Sequence, residues 1–203
     1  TLFSFSTGND NVAMGYKALS NAQTGSQSVA IGSRALRDFS GTYPNTAIGY
    51  SSMDSVTTNG ANTAVGSYTL TMNKSGINNA VLGNAAMYES TLGNNNTAVG
   101  NDAGRFIRSS QNTAIGSAAL RNDSTGTNNV AVGYRASYEN DTASAVTAIG
   151  TDVLYYNTLD SNVAIGYRAG LFANSNASAP SRELTFVGTF AGLGSFASSK
   201  NTA

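Results

Sequence analysis

Cysteine, histidine and tryptophan are all missing from this 203-residue chain, and proline occurs only twice. Without cysteine there is no disulfide framework and no thiolate metal site. Without histidine the commonest general base and the commonest metal ligand are both lost, and a Ser-His-Asp triad is excluded. Charge is scarce as well: charged residues are 11% of the chain, and eleven basic and eleven acidic residues cancel. An ordinary soluble domain carries about 25%. No block of one sign marks a nucleic acid or an anionic membrane as partner. No apolar run approaches the roughly 20 residues of a membrane-spanning helix, so no membrane insertion is expected of this segment. The acidic residues, among them Asp38, Asp54, Glu89, Asp102, Asp123, Asp152 and Asp160, fall at different places in the repeat described below. They offer no paired carboxylates for glycoside cleavage. The Gly-Gly-x-Gly-x-Asp nonapeptide of calcium-binding rolls does not occur either. The chain is expected to be no enzyme, with no catalytic residues, no metal and no cofactor.

What is abundant is Asn, Ser, Thr and Gly, arranged with a period. The pentapeptide Asn45-Thr46-Ala47-Ile48-Gly49 returns as Asn62-Thr63-Ala64-Val65-Gly66, as Asn112-Thr113-Ala114-Ile115-Gly116 and in seven other places, with a looser copy at Thr185-Phe186-Val187-Gly188. From Gly15 to Gly188 the closing glycines are 17, 17, 17, 17, 17, 16, 17, 17, 16 and 22 residues apart. A fixed period this short is the mark of a solenoid. The expected fold is all-β: a parallel β-solenoid of about eleven 17-residue coils, one repeat array over residues 1–203. Truncated repeats at both ends suggest a fragment of a longer fibre.

Within a unit, Thr63-Ala64-Val65-Gly66 alternates in size, the period of a strand. The expectation is that the Thr/Val and Ile/Val positions fill a thin core, while the Ala/Gly face lets another backbone come close and forms the contact between chains. A second short strand is expected three residues after the glycine, at pairs such as Ala18-Leu19, Thr69-Leu70 and Ala119-Leu120. The first residue of the unit is Asn in eight of ten clear copies, Ser28 and Ala145 excepted. Stacked coils would place these amides in a hydrogen-bonded ladder.

Some coils depart from the pattern. In Asp102-Ala103-Gly104-Arg105-Phe106, Arg168-Ala169-Gly170-Leu171-Phe172 and Phe190-Ala191-Gly192-Leu193 the expected Leu is Gly. Either a later residue fills the vacated volume or an aromatic stripe is left exposed. Five extra residues, with Pro180 among them, make 171–183 an inserted loop. Lys17, Arg34, Arg135 and Arg168 share one unit position and could contact anionic sugars, or be scattered solvated charge. Phe106, Tyr155, Tyr156 and Phe172 are the candidate ligand contacts.

The unit Asn-Thr/Val-Ala-Ile/Val-Gly-x-x-Ala-Leu, at residues 45–53, 62–70 and 112–120, resembles the YadA-like head repeats of trimeric autotransporter adhesins, and similar repeats in phage tail-fibre-like proteins and bacterial mosaic adhesive trimers. The resemblance covers essentially the whole chain. It implies a left-handed β-roll, a homotrimer, and a place in an extracellular fibre on a cell or virion surface. Such a fibre would mediate attachment to a host or prey glycan or protein. A second reading is a carbohydrate-binding module using the exposed aromatics. A third is an ice-binding solenoid, which the mixture of Thr and Val at the unit's second position disfavours.

Overall fold

The computed structural model describes residues 8–21, 25–57, 60–173 and 183–193. These form a β-solenoid with no helix among the described residues. Eleven three-residue strands succeed one another: β1 Val12–Met14, β2 Val29–Ile31, β3 Thr46–Ile48, β4 Thr63–Val65, β5 Ala80–Leu82, β6 Thr97–Val99, β7 Thr113–Ile115, β8 Val130–Val132, β9 Thr147–Ile149, β10 Val163–Ile165 and β11 Thr185–Val187. Each pairs in parallel with the next, giving one sheet in sequence order. The register repeats without slip, for example Thr46 beside Thr63, Ala47 beside Ala64 and Ile48 beside Val65. Parallel neighbours require a full circuit of chain between them, which the 17-residue period supplies. At about 4.8 Å per step the stack is about 50 Å long.

Each strand ends on glycine because nothing else fits. The eleven closing glycines have φ between 126° and 137°, a region essentially reserved for glycine. A Cβ on Gly100 would lie 2.6 Å from the carbonyl oxygen of Gly116, and Gly49, Gly66 and Gly116 are as tightly stacked on the coil that follows. The expected close approach of backbones is therefore real, but it joins successive coils of one chain.

The second strand is absent. The segment after each glycine, Tyr16–Ser20 and its equivalents, is a turn. Two of its residues, one apart, take left-handed backbone: Tyr68 and Leu70 have φ of 57° and 49°, Ala118 and Leu120 57° and 46°. The alternation bends the chain while keeping it bonded to both neighbouring coils. Tyr68 N–H donates to Tyr50 C=O at 2.8 Å in the preceding coil, and Leu70 N–H to Ala86 C=O at 3.0 Å in the following one. A left-handed residue with a Cβ costs about 1–2 kcal/mol; burial of the Leu or Met side chain at that place offsets it.

The core inverts the expected strand faces. The central Ala of the strands, including Ala47, Ala64 and Ala114, is fully buried with Leu19, Leu36, Met53, Leu70, Met87, Leu120 and Leu154. The Thr/Val and Ile/Val positions point outward, half-buried or exposed. The reason is thickness. A Cβ on Gly170 would lie 2.8 Å from both Leu154 Cδ2 and Phe186 Cδ2, so the turn and the strand centre meet across the interior. With a Leu or Met in the turn, the strand centre is a small residue, Ala at most levels and Val81 opposite Met87 at β5.

The exceptions keep the same sum. Where the turn has Gly104, a Cβ would lie 2.7 Å from Ile107 Cδ1, so the buried Ile107 takes the space. At β11 a buried Phe186 replaces Ala, and Gly170 and Gly192 make room for its ring. Phe106, Phe172 and Leu193 do not do the filling. Of the inserted loop, only Leu171–Ala173 and Glu183 are described; Pro180 and the final Asn201-Thr202-Ala203 lie outside the described residues.

The asparagine ladder is present, built mainly from side chain to the next coil's backbone, with Asn79 Nδ2 also donating to Asn62 Oδ1 at 3.1 Å. Asn45 Oδ1 accepts from Asn62 N–H at 3.1 Å, Asn62 Oδ1 from Asn79 N–H at 2.9 Å, and Asn112 Oδ1 from Asn129 N–H at 2.9 Å. Meanwhile Asn62 Nδ2 donates to Gly76 C=O and Asn112 Nδ2 to Gly126 C=O, each at 2.9 Å. Each amide thus braces its own loop and the next coil, satisfying buried backbone groups. Val146, one residue after the expected Ala145, occupies the asparagine place: its N–H donates to Asn129 Oδ1 at 2.9 Å.

Candidate functional site

Two surfaces run the length of the rod. The first is the outward strand face. It consists of two side chains from each of the eleven strands, from Val12 and Met14 to Thr185 and Val187. Every one is Thr, Val, Ile, Leu, Met or Ala, and none is charged. Ile48 and Val65 are half-buried and Ile115 is exposed. Exposure reaches 65% at Met14, 50% at Leu82 and 58% at Val187. These side chains form one unbroken row over the in-register strands, the kind of contiguous apolar patch that marks an interaction site.

The second surface lies on the turn segment, at Tyr50 and Tyr68 one and two residues after the closing glycine and, from Tyr88 on, at the residues five and six after it. Here the structure assembles an aromatic column. Tyr50, Tyr68 and Tyr88 meet edge to face at 5.1 and 6.1 Å. Tyr138 and Tyr155 stack at 4.9 Å, Tyr155 meets Tyr156 at 4.6 Å, and Tyr156 stacks on Phe172 at 5.6 Å. Guanidinium groups bridge the interval: Arg105 lies 5.3 Å from the Tyr88 ring and 5.5 Å from Phe106, and Arg121 lies 5.3 Å from Phe106 and 5.7 Å from Tyr138. Three of the four candidate ligand contacts, Tyr155, Tyr156 and Phe172, are thus in one cluster, and Phe106 joins it through Arg121. Sequence reading missed Tyr50, Tyr68, Tyr88, Tyr138 and the two arginines. Part of the signal was there: Tyr88, Arg105, Arg121 and Tyr138 share one unit position, five residues after the closing glycine, whereas Tyr50 and Tyr68 stand one and two residues after it.

The geometry of the column decides what it can do. Tyr138–Tyr155 and Tyr156–Phe172 have interplanar angles of 15° and 8°. Their ring faces are turned on one another along the stack. Such pairs contribute about 0.5–1.5 kcal/mol beyond area burial, and cation–π contacts at exposed sites about 0.5–1 kcal/mol. Beside the rings is a shallow depression of about 280 Å³ lined by Arg135, Asp152, Tyr155, Tyr156, Arg168 and Leu171. Its charges are internally paired: Arg135 clasps Asp152 with two bonds of 2.7 and 3.0 Å, and Arg168 Nε lies 3.5 Å from the same carboxylate. Burial pushes the Tyr155 phenol up, with Tyr138 adding to the effect. Arg105 is paired with Asp102 at 3.0 Å and Glu89 at 3.7 Å.

Asp123 lies at the interior position seven residues after its closing glycine. Asp123 is fully buried. It accepts from Gly126 N–H and Asn129 Nδ2 at 2.8 Å each, and from Asn140 Nδ2 at 3.3 Å. Burial raises its pKa to about 7, against the three hydrogen bonds, which lower it; nearby Asp141 raises it further. Among the described residues no group of three acidic, histidine or cysteine side chains could hold a metal ion, and no helix is long and apolar enough to cross a membrane.

No family model, no curated protein and no solved structure matches this chain.

Proposed function

We propose that this chain is a structural and adhesive segment of an extracellular fibre, in which three copies lie side by side as left-handed β-rolls. The observation that carries the reading is the outward strand face. It is free of charge and carries a large aliphatic side chain at every level, with Thr, Val or Ala beside it. A surface with no charge is compatible with its own copy, as a symmetric homo-oligomer requires. The contact is accordingly assigned to the Thr/Val and Ile/Val positions, since the small-residue stripe is consumed inside each coil. The number three is what the resemblance of the repeat to trimeric adhesin heads implies. The attachment role falls to the Tyr50-to-Phe172 column, which lies on a separate segment of the coil and would stay in contact with solvent.

Light scattering after size exclusion tests the assembly. A mass of three chains is expected, and a mass of one chain overturns it. A carbohydrate-binding module is the second reading, favoured by the convergence of Tyr155, Tyr156 and Phe172. Sugars stack on open ring faces, whereas these faces are largely turned on each other. A glycan array that stays blank with folded protein removes this reading.

A further inference from the structure

The regularity that builds the rod creates a difficulty for side-by-side copies. The outward face at one level closely resembles the face at the next, with Thr63 and Val65 succeeded two coils later by Thr97 and Val99. Two such surfaces can slide by one coil, about 4.8 Å, and lose only the contacts at the ends. A unique alignment must come from a level that differs from its neighbours.

β5 is that level. Its sequence is Ala80-Val81-Leu82, between two Thr-Ala-Val strands. Among the eleven strands it alone has Ala at the first outward position and Leu at the second. Leu82 is 50% exposed, and Ala80 beside it is exposed as well. The coil's own interior does not call for either residue, because the inward side chain is Val81, packed with the buried cluster. Leu82 therefore stands out as a knob further than Val65 or Val99, next to a hollow where the neighbouring strands carry a Thr side chain.

Resting on the trimeric reading above, we propose that Ala80 and Leu82 are the axial register key of the assembly. In register, the Leu82 side chains of all copies meet at one level and use the space left by Ala80. A slip of one coil drives Leu82 against the Val65 or Val99 level of a partner and leaves the Ala80 hollow unfilled. Both faults penalise the slipped form, since close-packed contacts tolerate neither extra volume nor voids.

The absence of native cysteine makes the test clean. Full-length chains carrying Ile115→Cys or Val132→Cys, on the outward face of β7 and β8, are co-expressed and oxidised. Disulfides are then identified by mass spectrometry of peptides. In-register copies join 115 to 115 and 132 to 132, whereas a one-coil slip joins 115 to 132. With native β5, like-with-like disulfides are expected in at least tenfold excess. In an Ala80→Thr/Leu82→Val background, which restores the outward pattern of β4 and β6 and so preserves folding, mixed disulfides should rise to comparable amounts. An unchanged excess in that background, or abundant mixed disulfides with native β5, overturns the key and leaves the trimer standing. A one-chain mass before oxidation, or a multimer that forms none of these disulfides, overturns the assignment of the strand face itself.

Discussion

The interior position seven residues after the closing glycine is filled in two ways in different parts of the rod. In the second and third coils it is Phe39 and Val56; in the seventh to ninth it is Asp123, Asn140 and Asn157. All five are buried. Phe39 works by volume: a Cβ on Gly25 would come within 2.6 Å of its ring, so that loop has yielded to the side chain. The polar row works by bonding. Asn157 Nδ2 donates to Asn140 Oδ1 at 3.3 Å, Asn140 Nδ2 donates to Asp123 Oδ2 at 3.3 Å, and Asp123 ties back to Gly126 N–H. The same fold thus accepts either dispersion or a hydrogen-bond network at one place. The network carries a penalty the apolar region lacks, because one of its members can ionise in a buried site.

The contrast can be broken most completely at the boundary between the two regions. Gly100→Ala combines a forbidden φ of 134° with a Cβ 2.6 Å from Gly116 C=O. It should cost more than about 4 kcal/mol and disrupt coupling between the halves, seen as loss of a single cooperative transition in urea. Phe39→Ala removes the apolar filling and should cost about 3–5 kcal/mol. Its effect should stay local in hydrogen exchange, since each coil touches only its neighbours.

The polar row should respond to pH at Asp123, a response that Phe39 and Val56 at the same interior position cannot give. The folded pKa of Asp123, about 7, lies above its ordinary value of 3.8. The folded state therefore holds a proton that the unfolded state has released between those limits. Stability is full below pH 4, declines from pH 4 to 7 and is lowest above 7, by roughly 2–4 kcal/mol. Urea midpoints across pH 4–8 check this, and Asp123→Asn should flatten the profile. The smallest change concerns the outside: Arg121→Ala breaks the bridge between Phe106 and Tyr138 and should cost about 1 kcal/mol or less by thermal melting.

Much of this molecule was legible before its structure. The strands lie where the pentapeptide placed them, the glycines are required, and the asparagines form a ladder. These features depend on short-range chemistry repeated in phase. The turn was misread as a strand because most of its left-handed residues are types such as Leu36, Met53, Arg34 and Ala118, which carry none of the Gly or Asn signal that marks such backbone. The aromatic column was only half seen, since Tyr88, Tyr138 and Tyr155 are 17 or more residues apart in sequence and become neighbours only when coils stack.

The sequence by itself determined the period, the parallel stacking and the place of every strand, because alternation and glycine spacing act within one unit. The tertiary structure alone decided which strand face is inside. Alternation is symmetric between the two faces, and propensity does not distinguish them. The choice follows from the width of the coil: at most levels the turn delivers a Leu or Met across a narrow interior, a small residue such as Ala fits opposite, and the larger aliphatic row is left on the surface.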